Sequence, residues 1–295
     1  MDATISRPGT SPRGSALQFR LRLRPGRILL YVFLCSWAVL TTYPFIWLVL
    51  VSLKSNSSLY TNPFGLPKEW LFQNYATAWV EAHVARFAFN SLIVTAASTV
   101  LAMFLASTCA FVFSRFDFRF KSLLWVYIIL GMLVPDTMRL LPLAMLTRTL
   151  HIYDSLLGLI VVYAASAVPW NTFFLRSFME TIPRELEEAA VIDGASMWHV
   201  FWNVILPLSR PGVVTMATFQ VLHGWNEFIL ALLLTSSEAS RTLPVGIRYL
   251  IGQWWTNETA LAAAMVIAII PAVVFFLFLQ RYVVKGMMGG SLAGI

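Results

Sequence analysis

The stretch ELEEAAVIDGASMWHVFWNVILP, residues 185–207, decides how the rest of the chain is read. Four acids, Glu185, Glu187, Glu188 and Asp193, fall within nine residues. A glycine follows, and then an apolar run at helical spacing. Such a segment is out of character for a chain that is 58% hydrophobic and only 12% charged. A soluble domain of this size carries about 25% charged residues. The apolar surplus exceeds what one globular core takes up, so the chain reads as an all-α, polytopic membrane protein.

Working outward, residues 28–53, 87–114, 155–175 and 259–280 contain no charge, and each is long enough to cross a bilayer. Two further spans are less clean: 122–146 is interrupted by Asp136 and Arg139, and 211–237 by Glu227. Six spans place both termini on one side. Arginine and lysine choose which side. The N-terminal tail, the loops after the second and fourth spans and the C-terminal end hold 14 of the 21 basic residues. Acids divide seven and seven. Both termini are therefore expected to be cytoplasmic, and so is the acidic segment. The +7 net charge follows this topology, and no nucleic-acid partner is inferred from it. The first apolar run, at 26 residues, is too long for a cleaved leader and is expected to remain as a span.

Residues 1–24 are expected to be a basic tail, 25–290 a six-span domain, and 291–295 a short C-terminal tail. Within the domain, residues 180–210 read as a helical hairpin. Pro183 suits a first helical turn, the acids complement the positive end of the helix dipole, and Gly194 suits a left-handed cap. In the second helix Trp198, Phe201, Trp202 and Ile205 repeat at i, i+3, i+4, i+7 and define one apolar face. Ala189, Ala190, Gly194 and Ala195 form a small-residue surface on which another backbone could rest, with Glu188 offering a charge to a basic partner. An ordinary solvated acidic loop accounts for the same pattern.

A family resemblance separates the two readings. Glu188-Ala189-Ala190, three residues, Gly194, nine residues, then Val204-Ile205-Leu206-Pro207 resembles the "EAA" signature of permease subunits in bacterial binding-protein-dependent ABC importers. Val204 stands where the family prefers Ile. IPRELEEAAVIDGAS at 182–196, WNEF at 225–228, TLPVGI at 242–247 and QRYVVKG at 280–286 resemble the maltose-type, carbohydrate-importing branch. The resemblance implies a type I importer permease architecture in a bacterial inner membrane, with a sugar or oligosaccharide as solute. It implies that the hairpin forms coupling helices seated on a cytoplasmic ATPase, through Glu185, Glu188, Ala189, Ala190, Asp193, Gly194 and Ala195. The implied partners are two ATP-binding subunits, a second and different permease chain, and an extracytoplasmic solute-binding protein. Near the C-terminus, Ala293 stands where the family's tail carries a lysine.

No G-x-x-x-x-G-K-[ST] phosphate loop occurs, so ATP is not expected to bind here by that route. His83, His151, His199 and His223 are scattered. Cys35 and Cys109 lie in apolar runs and read as small buried hydrophobes rather than a disulfide or metal pair. No cofactor and no catalytic constellation are expected, and the chain reads as a non-enzyme.

The polar groups inside the spans are left with two readings, solute pathway or structural contact. They are Asn171, Trp225, Asn226 and Glu227, with His223 beside them. Asp136 and Arg139 either pair on one helix face or lie in a polar cavity where Pro135 and Pro142 break the span. Pro169 is expected to kink the fourth span. Trp254 and Trp255, in an external loop, fit either a binding-protein contact or an interfacial aromatic belt. A secondary transporter driven by an ion gradient would also explain the intramembrane acids, although no inverted repeat is evident. A membrane scaffold is a third possibility.

Overall fold

The computed structural model describes residues 25–253 and 257–291, and among these every regular element is helical. Trp254, Trp255 and Ala293 lie outside the described residues. The chain divides into two units, residues 1–46 and 47–295. Helix α1 (Pro25–Ser52) occupies the described part of the first unit and continues into the second, with Pro44 inside it.

The second unit contains α2 (Val84–Arg115), α3 (Lys121–Leu133), α4 (Asp136–Thr149), α5 (Leu156–Glu180), α6 (Glu185–Ile192), α7 (Met197–Leu208), α8 (Arg210–Asn226), α9 (Ile229–Leu234), α10 (Leu243–Gln253) and α11 (Glu258–Ser291). Helices α1, α2, α5 and α11 are long and apolar enough to span a membrane. Counting each bent pair as one span raises the number to six.

The expected span at 122–146 is not one rod. It is α3 and α4, bent by 104°. Pro135 is the cause: a residue before proline is pushed out of the helical region, and Val134 is extended at φ −75°, ψ 116°. Pro142, by contrast, lies within α4 without ending it, and α5 runs continuously through Pro169. The expected fifth span is also interrupted, because α8 ends at Asn226 and α9 begins at Ile229. Both cysteines are free, but Cys35 is exposed and Cys109 half-buried. An apolar run in this protein does not imply burial in protein, because the hydrophobic surroundings include lipid.

The largest packing surface joins α2 to α5. Small side chains at Ala102, Ala106 and Ala110, all fully buried, bring the helices close, which suits membranes, where helix association depends on close van der Waals packing. Gly212 at the start of α8 serves the same purpose, since a Cβ there would stand 2.8 Å from the Phe178 ring of α5.

The loop after α1 is more ordered than a hydrophilic connection would suggest. Lys54 is 1% exposed, and its Nζ donates to the carbonyls of Asn62 (2.8 Å) and Pro63 (3.1 Å). Asn74 donates to the carbonyls of Ser52 and Lys54. Asp154, in the left-handed region at φ 55°, accepts from the backbone N–H groups of Ser236 and Ser237 and from the Ser240 hydroxyl. Partial burial pushes its carboxyl up, but those hydrogen bonds outweigh burial and hold it below the usual range. It joins the α4–α5 turn to the segment after α9.

At the opposite end of the bundle α6 and α7 form the hairpin. Pro183 precedes the N-cap residue, Arg184, instead of occupying the first turn. Gly194, at φ 88°, ends α6 in a Schellman motif: its N–H donates to Val191 O and that of Ala195 to Ala190 O, each at 2.9 Å. Ser196 caps α7 by accepting from His199 N. Inside α7 the residues Phe201–Ile205 form a π turn, with Leu206 N donating to Phe201 O. Pro207 has no N–H to offer the Asn203 carbonyl, so the ladder widens just before it.

The hairpin is tied to the bundle through Arg115, the last residue of α2. Arg115 Nε lies 2.5 Å from Glu187 Oε1, with side-chain exposures of 4% and 10%. Its Nη2 donates to the Ile182 carbonyl at 3.0 Å. Burial pushes the Glu187 carboxyl up, and Arg115 and Arg184 only partly oppose that. Removing one partner would leave a buried charge unmatched, at about 3–5 kcal/mol. Arg115→Ala and Glu187→Ala are therefore expected to lower the melting temperature of the detergent-purified protein by several degrees, with Glu187→Gln milder. Melting curves that superimpose on the parent would refute the anchor. Gly194→Val should also destabilise, by about 1–2 kcal/mol. No atom lies within 4 Å of a Cβ there, so the cost is purely the positive φ. An unchanged melting temperature would remove the capping argument.

Candidate functional site

Helix α6 stands out from the bundle. Of the residues expected to dock a partner, Glu185, Glu188, Ala189, Asp193 and Gly194 are exposed. Ala190 and Ala195 are only half-exposed, because they pack on the core cluster that includes Phe201 and Ile205. Glu187, one of the four acids, faces inward to Arg115. The acids therefore divide by helical position into one anchor and three surface charges. Sequence reasoning missed the apolar rim of this surface. Ile192 is 84% exposed, and Leu186 and Val191 are exposed beside it. Their signal was present, as apolar residues on an acidic helix too short to have two buried faces.

The apolar face expected for α7 is split. Phe201 and Ile205 are buried with Val200, whereas Trp198 and Trp202 are exposed. The core covers only one edge of that stripe.

A cavity of about 1310 Å³ lies between α3, α4, α5 and α8. Asn171 and Glu227 are on its wall; Trp225 and Asn226 are not. Trp225 is buried against α11, donating from Nε1 to the Ala268 carbonyl at 3.2 Å and meeting the Phe275 ring edge-on. Asn226 donates to the Leu222 carbonyl of its own helix at 2.8 Å. Trp225 thus packs between helices, and Asn226 bonds within its own helix.

Glu227 combines two positions. Its backbone is extended at the break after α8, and its Oε1 accepts from Leu230 N at 2.8 Å, capping α9. Oε2 lies 3.6 Å from His223 Nε2. Asp136 and Arg139 form an ion pair in the first turn of α4, also on the cavity wall; the break beside them is at Pro135 alone, since Pro142 lies within α4.

Two wall residues carried no sequence signal. Tyr163 and Gln220 are 4% and 6% exposed, and neither the Tyr163 hydroxyl nor Gln220 Nε2 has a hydrogen-bond partner among the described residues. Trp170, Phe173 and Phe174 supply aromatic surface on the same wall. The combination of apolar faces with a few convergent polar groups is that of a small-molecule site. No group of three or more His, Cys, Asp or Glu suited to a metal occurs among the described residues.

Comparison with known proteins agrees with this architecture. The chain is 36% identical over 265 residues to a putative ABC transporter permease protein of a Caldicellulosiruptor species, covering 90% of this chain and 96% of the relative. It is 33% identical over 263 residues to the diacetylchitobiose uptake system permease protein of Streptomyces coelicolor, covering 88% and 87%. A crystal structure of a bacterial ABC transporter that imports the acidic polysaccharide alginate contains a chain of the same fold. The TM-score is 0.78 at 24% identity, over 86% of this chain and 95% of that one. Residues 98–289 match the family described as binding-protein-dependent transport system inner membrane component. That stretch holds the α6–α7 hairpin, the cavity and most of the spans, and the chain belongs to this family of ABC importer permeases.

Proposed function

We propose that this multi-pass permease forms half of the translocation pathway of an importer for a sugar or oligosaccharide, in a bacterial inner membrane. Its termini face the cytoplasm. Two cytoplasmic ATP-binding subunits drive it, a second permease of different sequence completes the pathway, and an extracytoplasmic binding protein delivers the solute. The observation that carries the reading is the hairpin: α6 presents Glu188 and Ile192 to solvent while its opposite side is tied to α2 by a buried ion pair. An exposed apolar and acidic patch on a rigid base suits a protein partner.

Closing of the ATPases would move α6. Arg115 passes that movement to α2, and α7 passes it to α8. Both α2 and α8 reach the α5 side of the bundle where the cavity lies. Nucleotide can shift the resting equilibrium only by its differential affinity for the two arrangements. A firm grip at α6 is therefore a requirement of the mechanism.

The sugar reading rests on the cavity and on the named substrates of the relatives. Aromatic faces at Trp170 and Phe174 suit the apolar faces of a pyranose, and Tyr163, Asn171 and Gln220 suit its hydroxyls. Gradient-driven transport has no comparable support. The intramembrane acids that suggested it are engaged in the fold, Asp136 with Arg139 and Glu227 as a helix cap.

Glu188→Lys reverses a charge at the docking surface, and such a reversal costs several kcal/mol when it meets a like charge. The variant is expected to lose solute-stimulated ATP hydrolysis and to co-purify with far less ATPase, while its own melting temperature stays near the parent's. Undiminished hydrolysis and co-purification would refute docking at α6. Tyr163→Phe combined with Gln220→Leu should lower uptake several-fold and leave ATPase co-purification intact. Unchanged uptake would place the solute path away from this wall.

A further inference from the structure

Docking at α6 accounts for only one of the hairpin's two exposed faces. On α7, Trp198 is 59% exposed and Trp202 40%, and both are in contact with aromatic neighbours. Trp202 stacks on Phe104 of α2, itself 44% exposed, with ring centroids 6.5 Å apart and planes at 21°. We propose that this cluster is a lipid anchor, holding α7 in the headgroup boundary of the leaflet beside the hairpin.

Three observations point to phospholipid as the occupant. The first is direction. Helix α7 meets α8 at 75°, so with α8 along the bilayer normal α7 lies close to the membrane plane, the attitude of an interfacial amphipathic helix.

The second is depth. Arg86 is the last charged residue at the far end of α2, and the segment beyond it is uncharged up to Arg115. A hydrocarbon layer of about 30 Å corresponds to roughly 20 helical residues at about 1.5 Å each. With the outer boundary set at Arg86, the layer ends within a turn of Phe104, and the eleven residues from there to Arg115 extend α2 beyond it.

The third is continuity. Phe89, Leu92, Val100, Phe104 and Val112 form one exposed apolar stripe along α2, the surface a spanning helix turns toward lipid. Trp202 joins that stripe where it nears the interface, and tryptophan is the side chain favoured there, with an apolar body and one N–H for the headgroup region. Between Met197 and Leu208 there is no Asp, Glu, Lys or Arg to oppose partial insertion.

The arrangement gives the hairpin a fulcrum. The core holds one edge of α7 through Val200, Phe201 and Ile205, and the bilayer holds the other. A push on α6 then rotates α7 in the membrane plane instead of driving it into the lipid.

The test uses the intact complex in vesicles of phosphatidylcholine and phosphatidylglycerol. These carry a diazirine phospholipid reactive either beside the headgroup or at the acyl end, and adducts are mapped by mass spectrometry. Headgroup-level adducts on Trp198 and Trp202 should exceed acyl-end adducts several-fold, while Leu92 and Val100 show the reverse. The proposal is overturned if the α2 stripe is labelled and α7 is not, or if both probes label α7 equally. It is also overturned if Trp198→benzoylphenylalanine or Trp202→benzoylphenylalanine photo-cross-links to another protein chain, which would make the cluster a subunit interface. The result is independent of docking: labelled tryptophans stand whether or not Glu188→Lys uncouples the ATPase, and unlabelled ones leave that variant's meaning intact.

Discussion

The buried contact between Arg115 and Glu187 is the constraint on which the rest of the arrangement depends. It joins the end of α2 to the first turn of the hairpin, and Arg115 reaches further to the Ile182 carbonyl. A buried ion pair is not in itself a large source of stability, because desolvation offsets much of the attraction. Its effect here is positional. With both charges out of water, any movement separating α6 from α2 exposes an uncompensated charge to a poor solvent. The hairpin and the bundle are thereby bound to move together.

The same logic explains the interior of the bundle. Ionisable groups at membrane depth are costly and are tolerated where they have partners or face a cavity. Asp136 has Arg139, and Glu227 has the free N–H at the start of α9. Both acids sit at breaks, the first after Pro135 and the second between α8 and α9. Broken spans free backbone groups, which need partners inside a membrane, and an acid at the break supplies one. The cavity wall is then left with groups that have no such duty, Tyr163 and Gln220 among them.

Much of this was legible from residue order. Gly194 could be read as a left-handed cap because few other residues accept a positive φ, and its Schellman bonds agree. The number of possible spans followed from apolar length, a property of local sequence. Glu187 could not be told from Glu185 or Glu188, since helical periodicity places residues around an axis but does not say which side meets Arg115. Trp225 and Asn226 invited a pathway role for the same reason: a polar or aromatic residue in a span has two possible faces, and only the neighbouring helix chooses between them. Lys54 would have been assigned to a solvated loop, yet two carbonyls from a turn eight and nine residues later enclose it.

The sequence by itself determined what depends on composition and near neighbours: a membrane class, helical segments and the cap at Gly194, and the signature spacing that marks the hairpin. These are properties of a few consecutive residues and of transfer from water. Tertiary structure alone decided which acid is an anchor and which is exposed, that Trp225 packs while Asn171 lines a cavity, and that Trp198 and Trp202 stay outside the core. Those outcomes turn on which helix lies alongside, and contacts between residues far apart in the chain leave no period for a single sequence to show.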